Sequence, residues 1–248
     1  MLNVIAAQLG AVSAVPAPVG TPYQWFDADN AASFTYSSSN VISQWSDSSG
    51  NGRHATQATV ANQPTRQTGV VNGKAVVRFD ATNDMLNYTE YALSNRSIFV
   101  VFRNANQINS TTAVDGLVGN AGTFPWQLLG FGNQTGGIAG EVVTWLGVSS
   151  GGSTINGYYS SANIAAGNHQ LNWTTNSSYA FAAKLDKSNL STTAHNSGFN
   201  SQTYPGYSGS MAAAPTGLDV CEFIVYNSVL SGADITANEN YLATKWGL

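Results

Sequence analysis

From Tyr23 to Tyr226, apolar and alternating segments are cut off by Gly, Asn, Asp or Ser before a helix-length stripe can develop. A chain punctuated this way buries its apolar residues by pairing short strands, and many short strands between turns specify a two-sheet sandwich. The segments with β-branched, aromatic or alternating character are Tyr23–Asp27, Val41–Trp45, Ala75–Phe79, Met85–Tyr88, Ser97–Phe102, Gln127–Phe131, Glu141–Val148, Leu171–Thr175, Tyr179–Leu185 and Leu218–Tyr226. The expected class is all-β with one helix at the end. In Ser228–Leu248, Ile235, Asn238/Glu239 and Leu242 recur at helical spacing, with Ser231 or Gly232 as an entry and Gly247 as a stop. About ten to twelve helical residues would pack Ile235, Tyr241, Leu242 and Trp246 on the sandwich. A short helical turn is expected around Ala28–Phe34. The polar, glycine-rich tracts 104–123 and 149–168 read as long loops at one end.

The 248 residues suffice for a substantial core without disulfides. The single cysteine, Cys221, can form neither an intrachain bridge nor a thiolate cluster. Its neighbours Leu218, Val220, Phe223, Ile224 and Val225 mark it as a buried apolar residue. Only 9% of residues are charged, against about a quarter in a typical domain, so Ser, Thr, Asn, Gln and Gly must cover the surface. With a net charge of -4 and no basic cluster, such a surface does not suit nucleic acid. No apolar run approaches the roughly 18 residues of a membrane-inserting helix. The surface suits a neutral, hydrogen-bonding ligand such as a glycan, or a large neighbour with polar contacts.

No linker or charge run divides the chain, so residues 21–248 read as one domain behind an arm at 1–20. The arm, MLNVIAAQLGAVSAVPAPVG, has small residues at 11–14 but no positive charge before its apolar stretch. It reads as a tether docked on its own domain or a neighbouring subunit through Met1, Leu2, Val4, Ile5 and Leu9; a weak secretion signal is the alternative.

Three blocks carry local structure. In QWSDSSGNGRH, Trp45 ends a strand and Asp47 to Gly52 make a tight turn in which Asp47 accepts backbone N–H groups; a fixed corner aiming Trp45 into the core is expected, with a ligand-facing loop as the other reading. In NGKAVVRFDATNDML, Asn72-Gly73 signals a hairpin. Asp80 and Asp84 there read as turn caps, with a shared calcium ion as the alternative. In VCEFIVYNSVLSGADITANENYLATKWGL, Glu222 sits among apolar strand residues. A strand Glu raises the question of glycoside hydrolysis, which needs two carboxyl groups flanking the bond. Glu141 is the other strand Glu, but no second carboxylate follows it at period two, so each reads as a sheet-edge or salt-bridged carboxylate. His54, His169 and His195 are isolated, and no nucleophile elbow, P-loop or dinucleotide turn occurs.

Aromatic residues are the remaining lead. Trp145 and Trp173 read as core, whereas Tyr158, Tyr159, Tyr204 and Tyr207 fall in the expected loops, where tyrosines beside Asn and Gln can stack on sugars or meet a protein partner.

Together WFDADN at Trp25–Asn30, the Trp45–Thr59 stretch, Asn72–Leu86 and Glu222–Leu248 resemble the concanavalin A-like, laminin G-like jelly-roll domains of bacterial surface proteins and tailed-phage virion proteins. The resemblance covers about a third of the chain and leaves residues 104–215 unmatched. It implies a presentation scaffold of the kind that binds glycans or cations or decorates capsids and tails; with no carboxylate pair in view, no catalysis is expected. With the low charge and the neutral apolar arm, the expected role is a virion subunit, decorating a capsid or tail, with the major capsid protein and further copies of itself as partners. A lectin-like adhesion module at a cell surface is the alternative, and a glycoside hydrolase the second. Calcium in such domains sits at a rim of carboxylates and carbonyls, for which this sequence shows no clear set.

Overall fold

The computed structural model describes residues 17–80, 82–88, 95–106, 164–177, 181–190 and 218–248, together with the backbone of the strands at 115–119, 127–131, 142–147, 155–160 and 209–212. The strands are β1 (Gln24–Asp27), β2 (Phe34–Ser38), β3 (Val41–Trp45), β4 (Ala55–Thr56), β5 (Thr65–Val71), β6 (Lys74–Arg78), β7 (Met85–Tyr88), β8 (Arg96–Asn104), β9 (Asp115–Gly119), β10 (Gln127–Phe131), β11 (Val142–Gly147), β12 (Ile155–Ser160), β13 (Gly167–Thr175), β14 (Phe181–Leu185), β15 (Ser188–Asn189), β16 (Gly209–Ala212) and β17 (Leu218–Tyr226). One α-helix, α1 (Gly232–Trp246), follows, and 3-10 turns lie at Ala31–Ser33 and Val60–Asn62.

All recorded pairings are antiparallel. One layer runs β15-β14-β13-β8-β17-β1. The other runs β2-β3-β4-β7-β16-β9-β10-β11-β12. The β5–β6 hairpin joins them, touching β3 on one side and β17 on the other. Between the layers, Phe26 of β1 meets Trp45 of β3 at 5.3 Å between ring centroids, and Phe223 of β17 meets Tyr88 of β7 at 6.1 Å. Burial of such rings is worth roughly 1.5–3 kcal/mol each.

Strand β17 is buried along its whole length, because its inner face meets the opposite layer and its outer face lies under α1. Apolar residues therefore fall on both faces of LDVCEFIVY, interrupted only by the ion-paired Asp219 and Glu222. A bulge between Val220 and Glu222 shifts its register against β8, so Glu222, Ile224 and Tyr226 take the helix side and Phe223 and Val225 the core side.

The local expectations hold where side-chain chemistry fixes the turn. Ser231 caps α1 by accepting from Asp234 N at 3.1 Å, and Gly247 closes it at φ 70°, where Gly avoids the Cβ clash. The helix has 15 residues rather than ten to twelve, since its last turn is held by the interior contacts of Lys245 and Trp246 described below. Asp47 accepts from the N–H groups of Trp25, Ser49 and Arg53, and Trp45 has no exposed surface. Asn72-Gly73 turns β5 into β6 with positive φ at both positions. Asp80 Oδ1 accepts from Thr82, Asn83 and Asp84 N, and Asp84 Oδ2 from Asp80 N, so both are turn caps.

The polar tracts are the main correction. Residues 104–123 and 149–168 are not simply long loops, since β9, β12 and the start of β13 run through them, and β16 crosses 209–212. Gly, Asn and Ser weaken intrinsic strand preference, but neighbouring strands supply a hydrogen-bonding ladder that overrides it. Strands β2, β4, β5 and β15 were likewise missing from the sequence reading: they are short or polar, and their burial patterns are largely exposed or mixed.

Candidate functional site

Trp25, Asp27 and Asp29 stand at alternate positions, and β1 continues only to Asp27 before the chain turns. Trp25 pairs with Ile224 and Asp27 with Glu222, so these side chains share the helix-facing side of the layer. Beneath the helix, Glu222 accepts at Oε1 from Trp25 Nε1 (2.7 Å) and Tyr241 OH (2.6 Å), and at Oε2 from Trp246 Nε1 (2.7 Å). Lys245 Nζ completes the set at 2.8 Å from Glu222 Oε2 and reaches Asp27 Oδ2 at 2.8 Å. Burial raises the Glu222 pKa, and the Lys245 ammonium and the surrounding donors oppose that rise. Two indole N–H groups and an ammonium are donors with no lone pair to offer, so the carboxylate is the form that fits. Burial and the Glu222 charge push the Tyr241 phenol far above its usual range, which keeps it a hydroxyl donor.

This buried network forms the floor of an open cleft of about 600 Å³ lined by Trp25, Asp27, Asp29, Asn30, Asn72, Lys74, Thr244 and Lys245. Its far wall is the β5–β6 turn, latched to the helix by Asn72 Nδ2 donating to Lys245 O at 3.1 Å. Asp29 accepts from Lys74 Nζ at 3.0 Å and from Ala75 N at 3.2 Å. Burial works to raise the Asp29 pKa, but Lys74 and the Ala75 amide hold it below the usual carboxylate range. Asp27 Oδ1 accepts from Asp29 N at 3.0 Å. The cleft thus presents a partly buried indole, two already paired acidic side chains, two lysines and two exposed asparagines.

Glu222 is salt-bridged as expected of it, but it lies in the interior and not at a sheet edge. All its donors come from the protein and none of its surface is exposed, so it cannot touch a substrate. Of the tyrosines chosen from sequence, Tyr158 and Tyr159 are not in a loop: both belong to β12, opposite Thr144 and Val143 of β11. The strand ladder, invisible in a Gly/Asn/Ser-rich stretch, places them there. Tyr204, Tyr207, Glu141 and the arm residues Met1, Leu2, Val4, Ile5 and Leu9 lie outside the described residues. Trp173 is buried in the core. Among the described residues no three His, Cys, Asp or Glu side chains gather as a metal site. No described helix is long and apolar enough to cross a membrane.

Sequence reasoning missed the cleft itself. Its signal was WFDADN, an aromatic and two acids at period two, in a segment otherwise read as a strand and a turn.

No protein-family model matches the chain, and no curated protein does. Solved structures do. The receptor binding domain of botulinum neurotoxin D superposes with a TM-score of 0.60 at 8% identity, over 90% of this chain and 53% of that one. The binding domain of Paraclostridial Mosquitocidal Protein 1 gives 0.53 at 12% identity, over 83% and 52%. An arabinofuranosidase complexed with arabinofuranosyl-alpha-1,2-xylobiose gives 0.53 at 15% identity, over 83% and 51%. The fold is an antiparallel β-sandwich of the jelly-roll type with one C-terminal helix. The chain spans about half the length of these structures, and at such identities the likeness is one of fold.

Proposed function

We propose that this jelly roll is a non-catalytic binding module for glycans at a cell or particle surface, and that the Trp25 cleft is its ligand site. The observation that carries this reading is the convergence of the Trp25 indole with Asp27, Asp29, Asn30 and Asn72 around one open cavity. An aromatic face covers the apolar C–H side of a sugar ring, while carboxylates and carboxamides take its hydroxyls. The receptor-binding domains among its structural neighbours support a binding role. Binding without hydrolysis is the reading that the pairing at the cleft supports. Glycoside hydrolysis needs one carboxyl held protonated, whereas Asp29 is held ionised by Lys74 and Glu222 is sealed in the interior.

The test is a soluble oligosaccharide panel monitored by tryptophan fluorescence and by indole N–H chemical shifts, with Trp25→Phe and Asn30→Ala in parallel. Millimolar or tighter binding that perturbs the Trp25 indole and weakens in both variants is the expected result. A panel without a binder, or binding indifferent to both substitutions, would overturn the assignment.

A second reading, a subunit that attaches to a particle through residues 1–20, has one observation in its favour. Val19 N donates to Asn238 Oδ1 at 3.0 Å, and Val19 O accepts from Tyr226 OH at 2.7 Å and Asn238 Nδ2 at 3.2 Å. The base of the arm is therefore clamped on α1 and β17. Light scattering on the full chain and on a form lacking residues 1–16 separates the two readings: an oligomer that becomes monomeric on truncation supports assembly through the arm, and a monomer in both forms removes self-association from it.

A further inference from the structure

We infer that the Trp25 cleft takes an uncharged hexopyranose and rejects carboxylated or sulfated sugars, an inference that rests on the glycan-binding reading above. The first observation is the charge balance at the site. Asp27, Asp29 and Glu222 supply three negative charges against the two positive charges of Lys74 and Lys245. Both ammonium groups are already engaged. Lys74 is paired with Asp29, while Lys245 touches Asp27, Glu222 and the Tyr241 oxygen with its side chain 6% exposed. Lys245 is thus closed to an incoming anion, and the charge of Lys74, whose side chain is 30% exposed, is already balanced by Asp29. Arg66, the next cation along, donates to the carbonyl oxygens of Ala28 and Asp29 and does not line the cleft.

The second observation is independent of the first. Thr244 and Lys245, which form one wall, stand in the last turn of α1, two residues or fewer from its end at Trp246. The C-terminal end of a helix carries the negative pole of its dipole, roughly half an elementary charge. Helix pole and net charge therefore repel the same ligands, those with a carboxylate or sulfate near the cleft. Hydroxyl groups suffer no such penalty. Asp29 keeps 34% of its side chain exposed, and each carboxylate oxygen has lone pairs beyond those used by Lys74 and Ala75. A neutral ring can thus stack on Trp25 and donate hydroxyls to Asp29, with the exposed Asn30 and Asn72 available for its remaining polar groups.

The test uses matched pairs of disaccharides, each neutral sugar beside the counterpart whose terminal C6 is oxidised to a uronate. Affinities are measured by calorimetry, and the site by indole N–H shifts. The neutral member should bind at least about tenfold more tightly, with a gap that narrows as salt is raised. Two variants change the charge at the cleft. Asp29→Asn removes one negative charge, and Thr244→Lys adds a positive one at an exposed position of the last helical turn, where a cation also favours the helix. Both should shift the ratio toward the uronate by threefold or more. Uronates that bind as well as their neutral partners, or a ratio that Thr244→Lys leaves unchanged in a folded protein, would overturn the inference while leaving glycan binding at the cleft intact. Sugars bound elsewhere, with the Trp25 indole unperturbed, would overturn it and move the ligand site off the cleft. A panel without any binder would overturn the glycan reading, and this inference with it.

Discussion

Lys245 Nζ stands 2.8 Å from Glu222 Oε2 under the last turn of α1, joining a carboxylate with no exposed surface to a residue that also lines the open cleft. The same ammonium reaches Asp27, so one side chain ties helix, β17 and β1 together. Removing one member of a buried ion pair leaves the other charge unsatisfied, which costs about 3–5 kcal/mol. Lys245→Met should lower the urea midpoint accordingly, and Glu222→Gln should do so too. The double variant should lose less than the sum of the two. Additive losses in the same denaturation series would show that the pair does not act as a unit.

Gly247 combines φ 70° with a close neighbour: a Cβ there would lie 3.1 Å from the Asn72 side chain. Gly247→Ala should therefore destabilise by about 1–2 kcal/mol through left-handed backbone strain, and more if Asn72 cannot give way. It should also loosen the Asn72 latch to Lys245 O. Thermal melting of Gly247→Ala, with and without Asn72→Ala, checks whether the two costs are coupled.

Asp84 titrates abnormally. Burial, reinforced by the Asp80 charge, pushes its pKa up to about 6. A carboxyl whose folded pKa lies above its unfolded value contributes stability below the unfolded pKa, and that contribution is lost as pH rises through the folded one. The loss therefore falls between about pH 4 and 6. Asp84→Asn keeps an acceptor for Asp80 N and removes the charge, so it should be more stable than the parent at pH 7.5, by about 1–2 kcal/mol. At pH 4 the two should be nearly equal. Denaturation at both pH values decides it.

His169 lies between two acceptors, Asp186 Oδ2 at 2.7 Å from Nδ1 and Ala165 O at 3.0 Å from Nε2. Burial works against protonation, but Asp186 and the carbonyl more than offset it, and the pKa is raised. Its stabilising contribution is fully present below the unfolded pKa of about 6.5 and fades as pH rises through the folded value. An imidazole titration by NMR should place the midpoint above that reference, and Asp186→Asn should bring it down. A midpoint unchanged by Asp186→Asn would refute the pairing.

Two truncations isolate the Val19 clamp. Removing residues 1–16 leaves the Val19 clamp in place, whereas removing residues 1–20 strips the three hydrogen bonds from Asn238 and Tyr226. The longer deletion should cost about 1–3 kcal/mol more, because buried polar groups lose their partners. Paired urea unfolding of the two forms measures the difference.

The amino-acid sequence alone determined what short-range chemistry controls. Ser231 and Gly247 bound the helix, Asn72-Gly73 makes the hairpin, Asp47 and Asp80 fold their own turns, and the β-branched and aromatic residues of Leu218–Tyr226 announce a strand. Each acts within a few residues, so each is visible in a short window. Only the tertiary structure decided what depends on distant partners. Strands β9, β12 and β16 carry little local preference and exist through their neighbours' ladders, which is why Tyr158 and Tyr159 read as loop residues. The cleft depends on Trp25, Asn72 and Lys245 meeting from the start, middle and end of the chain, and Glu222 is closed to ligands because Trp25, Tyr241 and Trp246 converge on it. Period-two spacing put Trp25 and Asp27 on one face; packing α1 on that face made the cleft.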